Sequence, residues 1–158
     1  RVMVQKISGN IERDKSVDDL IALERELGLD RVNTLNQFNT KINAVRDNLQ
    51  KLIYFLKKEG KTIAGFGAPT KATTLMAHFG LDQKVLDFIV DDNPLKQGLF
   101  TPITHIPVLS ADVLYERKPD YLIILAWNFA GPIMQMHKRY NEEIGKFILP
   151  MPEPKVVS

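Results

Sequence analysis

Thr62-Ile63-Ala64-Gly65-Phe66-Gly67-Ala68-Pro69-Thr70-Lys71 is the stretch of this 158-residue chain that decides its fold. A short, unbroken apolar run enters a glycine turn, and helix-compatible residues follow, which reads as a buried strand turning tightly into a helix. Gly65 and Gly67 let the backbone come close to a ligand. Thr70 is expected to cap the helix, whose free first-turn amides can receive phosphate oxygens, and Lys71 adds a point charge. The signature is incomplete, because Thr70 stands where a dinucleotide-binding turn has its third glycine, and the Walker A order is not met. A phosphate loop and a plain strand-to-helix turn both remain open at this point.

Downstream, the same alternation continues. Thr70 to Phe79 reads as a helix closed by Gly80, Asp87 to Asp92 as a second strand, and Ile106 to Leu109 as a short third. Ser110 is expected to cap a helix through Tyr115. Tyr121 to Trp127 is the strongest strand, and a helix from about Pro132 to Ile144 and the strand Phe147-Ile148-Leu149 close the series. Strands of continuous apolar character alternating with helices predict a parallel sheet covered on both faces. With right-handed crossovers this is an α/β, Rossmann-like doubly wound fold over residues 61–158.

Upstream lies a different composition. Residues 1–60 hold none of the nine prolines and only three glycines, and they read as an N-terminal helical arm. Ser16 precedes Val17, Leu20, Ile21 and Leu27 at helical spacing, with Asp18 and Asp19 in the first turn and Gly28 at the end. Leu35, Phe38, Ile42, Val45, Leu49, Leu52 and Leu56 then repeat with alternating steps of 3 and 4, a heptad seam. A helix from Val32 to Glu59 would be on the order of 40 Å long. The seam packs on the preceding helix and on the body, or it serves as a homodimer seam or a strut between domains. Arg1-Val2-Met3-Val4-Gln5-Lys6-Ile7 alternates like a half-buried strand. It begins without a cap, so the chain reads as a piece of a longer polypeptide. Val2, Val4 and Ile7 then belong either to an edge strand here or to a pairing with a neighbour that is missing.

Composition narrows the function classes. With 21 basic and 19 acidic residues spread along the chain, the net charge of +2 argues against nucleic acid as a partner. There is no cysteine, which excludes disulfides and thiolate zinc sites. No apolar run reaches the roughly 20 residues of a membrane span and no secretory signal is visible, so the expectation is a cytoplasmic protein without membrane contact.

In a doubly wound sheet, ligands bind beyond the carboxyl ends of the strands. Two further loops there are chemically unusual. In Val90-Asp91-Asp92-Asn93-Pro94-Leu95-Lys96-Gln97-Gly98, Asp91 follows Gly65 by 26 residues, a spacing that permits a grip on a ribose hydroxyl. Asp92 and Asn93 can equally initiate a turn before Pro94, while Lys96 and Gln97 offer donors to a diphosphate or a base edge. In Ala126-Trp127-Asn128-Phe129-Ala130, Trp127 can stack on a planar group or act as a core lid, and the Asn128 amide both donates and accepts. His105 could approach the same crevice but lacks an orienting partner. His78 reads as a helix-face residue, and His137, beside Lys138 and Arg139, as a surface residue. The chain shows no acidic strand end with the glycine turn used for S-adenosylmethionine, no nucleophile elbow, no metal cluster and no convincing acid–base pair. From the residues alone it is a nucleotide-type binding module.

The ordered series Gly65 to Leu75, Val90 to Gly98, Thr104 to Val108, Ile124 to Ala130 and Leu149 to Pro154 resembles the C-terminal domain of S-adenosylmethionine-dependent nucleotide-sugar C-methyltransferases. The resemblance covers essentially the whole chain. It implies that a zinc-binding domain and a central S-adenosylmethionine domain precede this one, and that the substrate lies in the cleft between the central and C-terminal domains. It also implies a nucleotide-linked deoxy keto-sugar, such as a deoxythymidine diphosphate sugar, as substrate. The zinc cysteines, the donor site and the base would lie outside this chain, which would bind no cofactor and be inactive alone. By motif position it assigns the substrate role to Gly65, Gly67, Ala68, Lys71, Asp92, Asn93, Lys96, Gln97, Trp127 and Asn128, with Lys71 and Lys96 preferred for the diphosphate. The same motifs would serve equally as the interface to the central domain. Alternatives from the residues are an NAD- or coenzyme A-binding module and a non-catalytic dimerisation domain.

Overall fold

The central strand β1 (Ile63–Phe66) is flanked by parallel partners on both sides, and everything else in the sheet follows from that. The computed structural model describes residues 4–157. Its elements run α1 (Lys15–Glu26), α2 (Val32–Lys58), β1, α3 (Thr70–Phe79), β2 (Ile89–Val90), β3 (Val108–Leu109), α4 (Val113–Arg117), β4 (Tyr121–Ile124), a 3-10 turn at Trp127–Phe129, α5 (Ala130–Met136), α6 (Lys138–Glu143), β5 (Lys146–Leu149) and β6 (Lys155–Val157). The strand order is β3-β2-β1-β4-β5-β6. The first five are parallel, as the doubly wound pattern predicts, and the order reverses between β1 and β4. β6, which the sequence reading did not anticipate, adds an antiparallel edge against β5.

Side chains alternate between the two faces. Ile63, Ile89, Ile123 and Ile148 face one layer, where Leu49, Ile53 and Leu56 of α2 meet Leu75, Met76 and Phe79 of α3. Ala64, Phe66, Leu122, Ile124 and Phe147 face the other, covered by Leu114 of α4, Ile133 of α5 and Tyr140 of α6. The connection from β2 to β3 contributes no helix, so α2 completes the first layer beside α3, where the Gln50 amide donates to the Phe79 carbonyl at 3.1 Å.

The chain divides into two compact units within α2, between Lys41 and Ile42. In the first, α1 is capped by Asp14, whose carboxylate accepts from the Ser16 amide at 2.8 Å. The cap is therefore two residues earlier than Ser16. Gly28 (φ +64°) turns the chain towards α2 with its N–H on the Arg25 carbonyl. No residue of α1 is buried, and Leu35 and Phe38 at the start of the heptad seam are exposed. In the second unit the remainder of the seam is core, with Leu49 fully buried. Val4 and Ile7 are exposed and residues 4–7 form no strand, since alternation without a neighbouring strand cannot hold one; Val2 lies outside the described residues. Among the described residues, no helix is long and apolar enough to cross a membrane.

Candidate functional site

Parallel register sets the rim of the sheet. Phe66 is level with Val90 and with Ile124, and Val90 with Leu109, so the loops after β1, β2, β3 and β4 emerge side by side. The reversal of strand order lies between β1 and β4, which places Gly67 to Lys71 and Ala126 to Asn128 on either side of the switch point.

The two glycines of the turn do different things. A side chain at Gly65 would come within 2.9 Å of both Ile89 Cγ1 and Leu125 Cδ1, so a glycine here lets β1 pack inside the sheet. Gly67 has φ +89°, and a Cβ there would press to 2.8 Å on the Ala126 Cβ. It lets the β1 and β4 loops meet, and its N–H donates to the Val90 carbonyl at 2.7 Å. Thr70 does not cap α3. The capping position is Pro69, which offers no side-chain bond, and Thr70 is already helical. The start of α3 therefore keeps first-turn amides for solvent or an anion, apart from that of Ala72, which donates to the Pro69 carbonyl.

Asp91 organises the second loop. It is 7% exposed, and its Oδ2 accepts from the Ala68 amide at 2.7 Å and from Lys96 Nζ at 2.9 Å, while Oδ1 accepts from the Asn93 amide at 2.9 Å. The Gln97 side chain donates from Nε2 to the Asp91 carbonyl at 2.9 Å. Burial alone would push the carboxyl's pKa up, but the two amides and the Lys96 ammonium outweigh it and hold the group below its ordinary value. This ionised carboxylate binds the β1 and β2 loops together, so it is not the ribose grip that its position suggested. Lys96 and Gln97 point into the same hub, and the Asn93 side chain accepts from the Leu95 backbone amide at 3.0 Å across Pro94.

Lys71 lies outside this network. It is exposed, and its Nζ sits 4.7 Å from the centre of the Trp127 ring, a cation–π contact across the switch point. Trp127 is half-buried against the α2–α3 core, and Asn128 beside it is exposed. Two clefts flank α3. One of about 230 Å³ runs between Pro69, Thr70 and Thr73 and the β2–β3 connection at Lys96 and Thr101. The other, of about 330 Å³ and mainly apolar, lies between Ile42, Leu75, Phe79 and Trp127, with Lys71 at its edge.

The histidines fall differently from expectation. His105 precedes β3, and its carbonyl accepts from Gln83 in the connection leading into β2, so the chain has carried it towards the end of the sheet opposite the crevice. His78 is an exposed residue of α3, as read from its position. His137, expected at the surface, is only 6% exposed and packs 4.8 Å from the Phe66 ring. The signal was present in the sequence: Ile133, His137 and Tyr140 share one helical face by steps of 4 and 3, and all three are buried. Its charged neighbours Lys138 and Arg139 belong to the opposite face.

With this geometry in place, the chain can be set beside known proteins. Residues 1–152 match the family model described as the C-methyltransferase C-terminal domain. The C-methyltransferase NovU of Streptomyces niveus is 38% identical over 143 residues, which is 90% of this chain and 34% of that protein. The chain thus spans about a third of the length of the curated relative it matches.

Proposed function

Because the chain belongs to the C-methyltransferase C-terminal domain family, we propose that it is the substrate-holding part of a sugar C-methyltransferase. It binds a nucleotide-linked deoxy keto-sugar, a deoxythymidine diphosphate sugar, at the rim of its sheet, while a preceding domain supplies S-adenosylmethionine and the base. The observation that carries this reading is Lys71. It is a lysine left out of the Asp91 hub, held over Trp127 beside the uncapped start of α3. A diphosphate would be received by the amides of that first turn together with Lys71. A planar base or the sugar face would lie on Trp127, and Asn128 would hydrogen-bond at the edge. Asp92 and Asn93 follow on the next loop of the same rim, and Gly67 and Ala68 lie in the turn that leads to Lys71.

The residues present do not fit S-adenosylmethionine or NAD. Both ligands need a free carboxylate at the end of the second strand for their ribose diol, and both Asp91 oxygens are already bound by protein groups. The donor is therefore assigned to another part of the full enzyme, where it supplies an electrophilic methyl group. This chain's share is orientation. Fixing the nucleotide and diphosphate leaves the sugar carbon beside the carbonyl with one path to the methyl, and removing that freedom is a large part of what such a reaction requires.

Calorimetry with deoxythymidine diphosphate glucose tests the assignment. Saturable binding is expected, and Lys71→Ala should weaken it about tenfold, the size of one lost charge-assisted hydrogen bond. An unchanged affinity in that variant would remove the loop from the site.

A further inference from the structure

The face of the sheet opposite α3 holds a buried polar chain that the substrate reading leaves unused. His137 ends α5 and lies over the Phe66 ring. Its Nδ1 is 3.2 Å from the Tyr115 hydroxyl of α4. Its Nε2 is buried with no hydrogen-bond partner among the described residues. That nitrogen points at Asp92 Oδ1, 3.7 Å away and just beyond bonding distance, on the loop that follows Asp91. Asp92 is about half exposed, so its side chain has room to move. A buried ring nitrogen facing a mobile carboxylate across less than an ångström of slack has one evident way to become satisfied.

The geometry points to His137 as a positioning residue: it latches Asp92, and with it the Asp92–Gln97 loop, from beneath the crevice. Tyr115 O–H donates to Nδ1, which leaves the proton on Nε2 and aims it at the Asp92 carboxylate. Closing the gap draws the start of the loop onto the sheet, between the hub at Asp91 and the turn at Asn93. Other charges around the chain are few. Arg139 and Glu143 of α6 pair with each other at 2.9 Å, with Arg139 stacked 5.4 Å from the Tyr115 ring, and Asp112 at the start of α4 acts on Tyr115. Asp92 is the one carboxylate that contacts the imidazole among the described residues. A second proton on the ring turns the latch into an ion pair.

This inference rests on the Asp92–Gln97 loop bordering the substrate crevice, and two readouts separate it from that premise. Imidazole nitrogen NMR on the unliganded chain should show the His137 Nε2 resonance moving in Asp92→Asn, which takes away the carboxylate that its proton faces. Tyr115→Phe should shift the neutral ring away from the Nε2-protonated form. In His137→Gln, which keeps a donor near Nε2, affinity for deoxythymidine diphosphate glucose should stay within about twofold of wild type, whereas His137→Leu should bind it several-fold more weakly. An unmoved Nε2 resonance in Asp92→Asn, or equal affinities in His137→Gln and His137→Leu, overturns the latch. Absence of sugar-nucleotide binding overturns the substrate reading, and the Nε2 resonance then still decides whether His137 and Asp92 are coupled.

Discussion

At the scale of single residues, the carboxyl rim depends on Asp91. One side chain satisfies two loop amides and one ammonium in a nearly dry setting, so its loss unties the β1 loop from the β2 loop. Asp91→Asn retains one acceptor and gives up the charge, and it should cost about 1–3 kcal/mol at neutral pH. The folded-state pKa is held below the ordinary carboxylate value. The stabilisation is therefore fully present above the unfolded-state value of about 3.9 and fades as pH falls through the folded one. Urea unfolding of wild type and variant should accordingly give curves that converge in acid, and a gap that stays constant down to pH 2 would show that the charge plays no part. Position alone could not reveal this role. An acidic residue at the end of a second strand reads the same whether its oxygens face a ribose or two backbone amides, and only the path of the Ala68 and Asn93 N–H groups decides. Its counterpart at the other end of the sheet is Asp120, which accepts from the Thr62 amide and hydroxyl at 2.9 and 2.8 Å and ties the start of β4 to β1. The same chemistry there borders no crevice.

At the scale of elements, α2 shows how far a periodic pattern reaches. Its heptad spacing was legible over seven positions, yet within the second unit the buried residues of α2 are Leu49, Ile53 and Leu56, and Ile53 lies off the strict seam. A helix lying on a sheet buries a broader stripe than one wound around a second helix. Leu49→Ala should lower the stability of the second unit by about 2–5 kcal/mol, while Phe38→Ala should change it by less than about 0.5 kcal/mol. Fluorescence of Trp127, the single tryptophan, reports that unit directly, since its ring packs against the core containing Leu49. Equal losses in both variants would mean that the exposed half of the seam is also structural. Strands were legible in existence and order because both faces are covered and their apolar character is continuous. Their ends were not: Tyr121 to Trp127 reads as one run, but the strand ends at Ile124 and Trp127 begins a 3-10 turn. β6 escaped notice because three residues after a proline-rich turn carry no period to detect.

At the scale of the molecule, the topology makes the crevice a junction. The loops after β1, β2 and β4 all border it, and each belongs to a different strand of the central sheet. The sequence alone made the doubly wound order and the position of the rim legible, because both follow from alternation and handedness. Which side chains at the rim remain available to a ligand was not legible, since that depends on hydrogen bonds between loops far apart in the chain. The available set, Lys71, Trp127, Asn128 and the start of α3, would let one ligand bridge β1 and β4 and so stabilise the sheet as a whole. Deoxythymidine diphosphate glucose at about 100 times its dissociation constant should add about 2.7 kcal/mol. For a chain of this size that is a rise of about 5–10 °C in the thermal midpoint. Lys71→Ala at the same concentration should retain only part of that rise, because a tenfold weaker site is less completely filled. NAD and S-adenosylmethionine at matched concentration should shift the midpoint by less than about 1 °C, since the carboxylate their ribose needs is engaged within the protein. A larger shift with NAD than with the sugar nucleotide would require Asp91 to leave its hub, and it would replace the substrate-holding assignment with a dinucleotide-binding one.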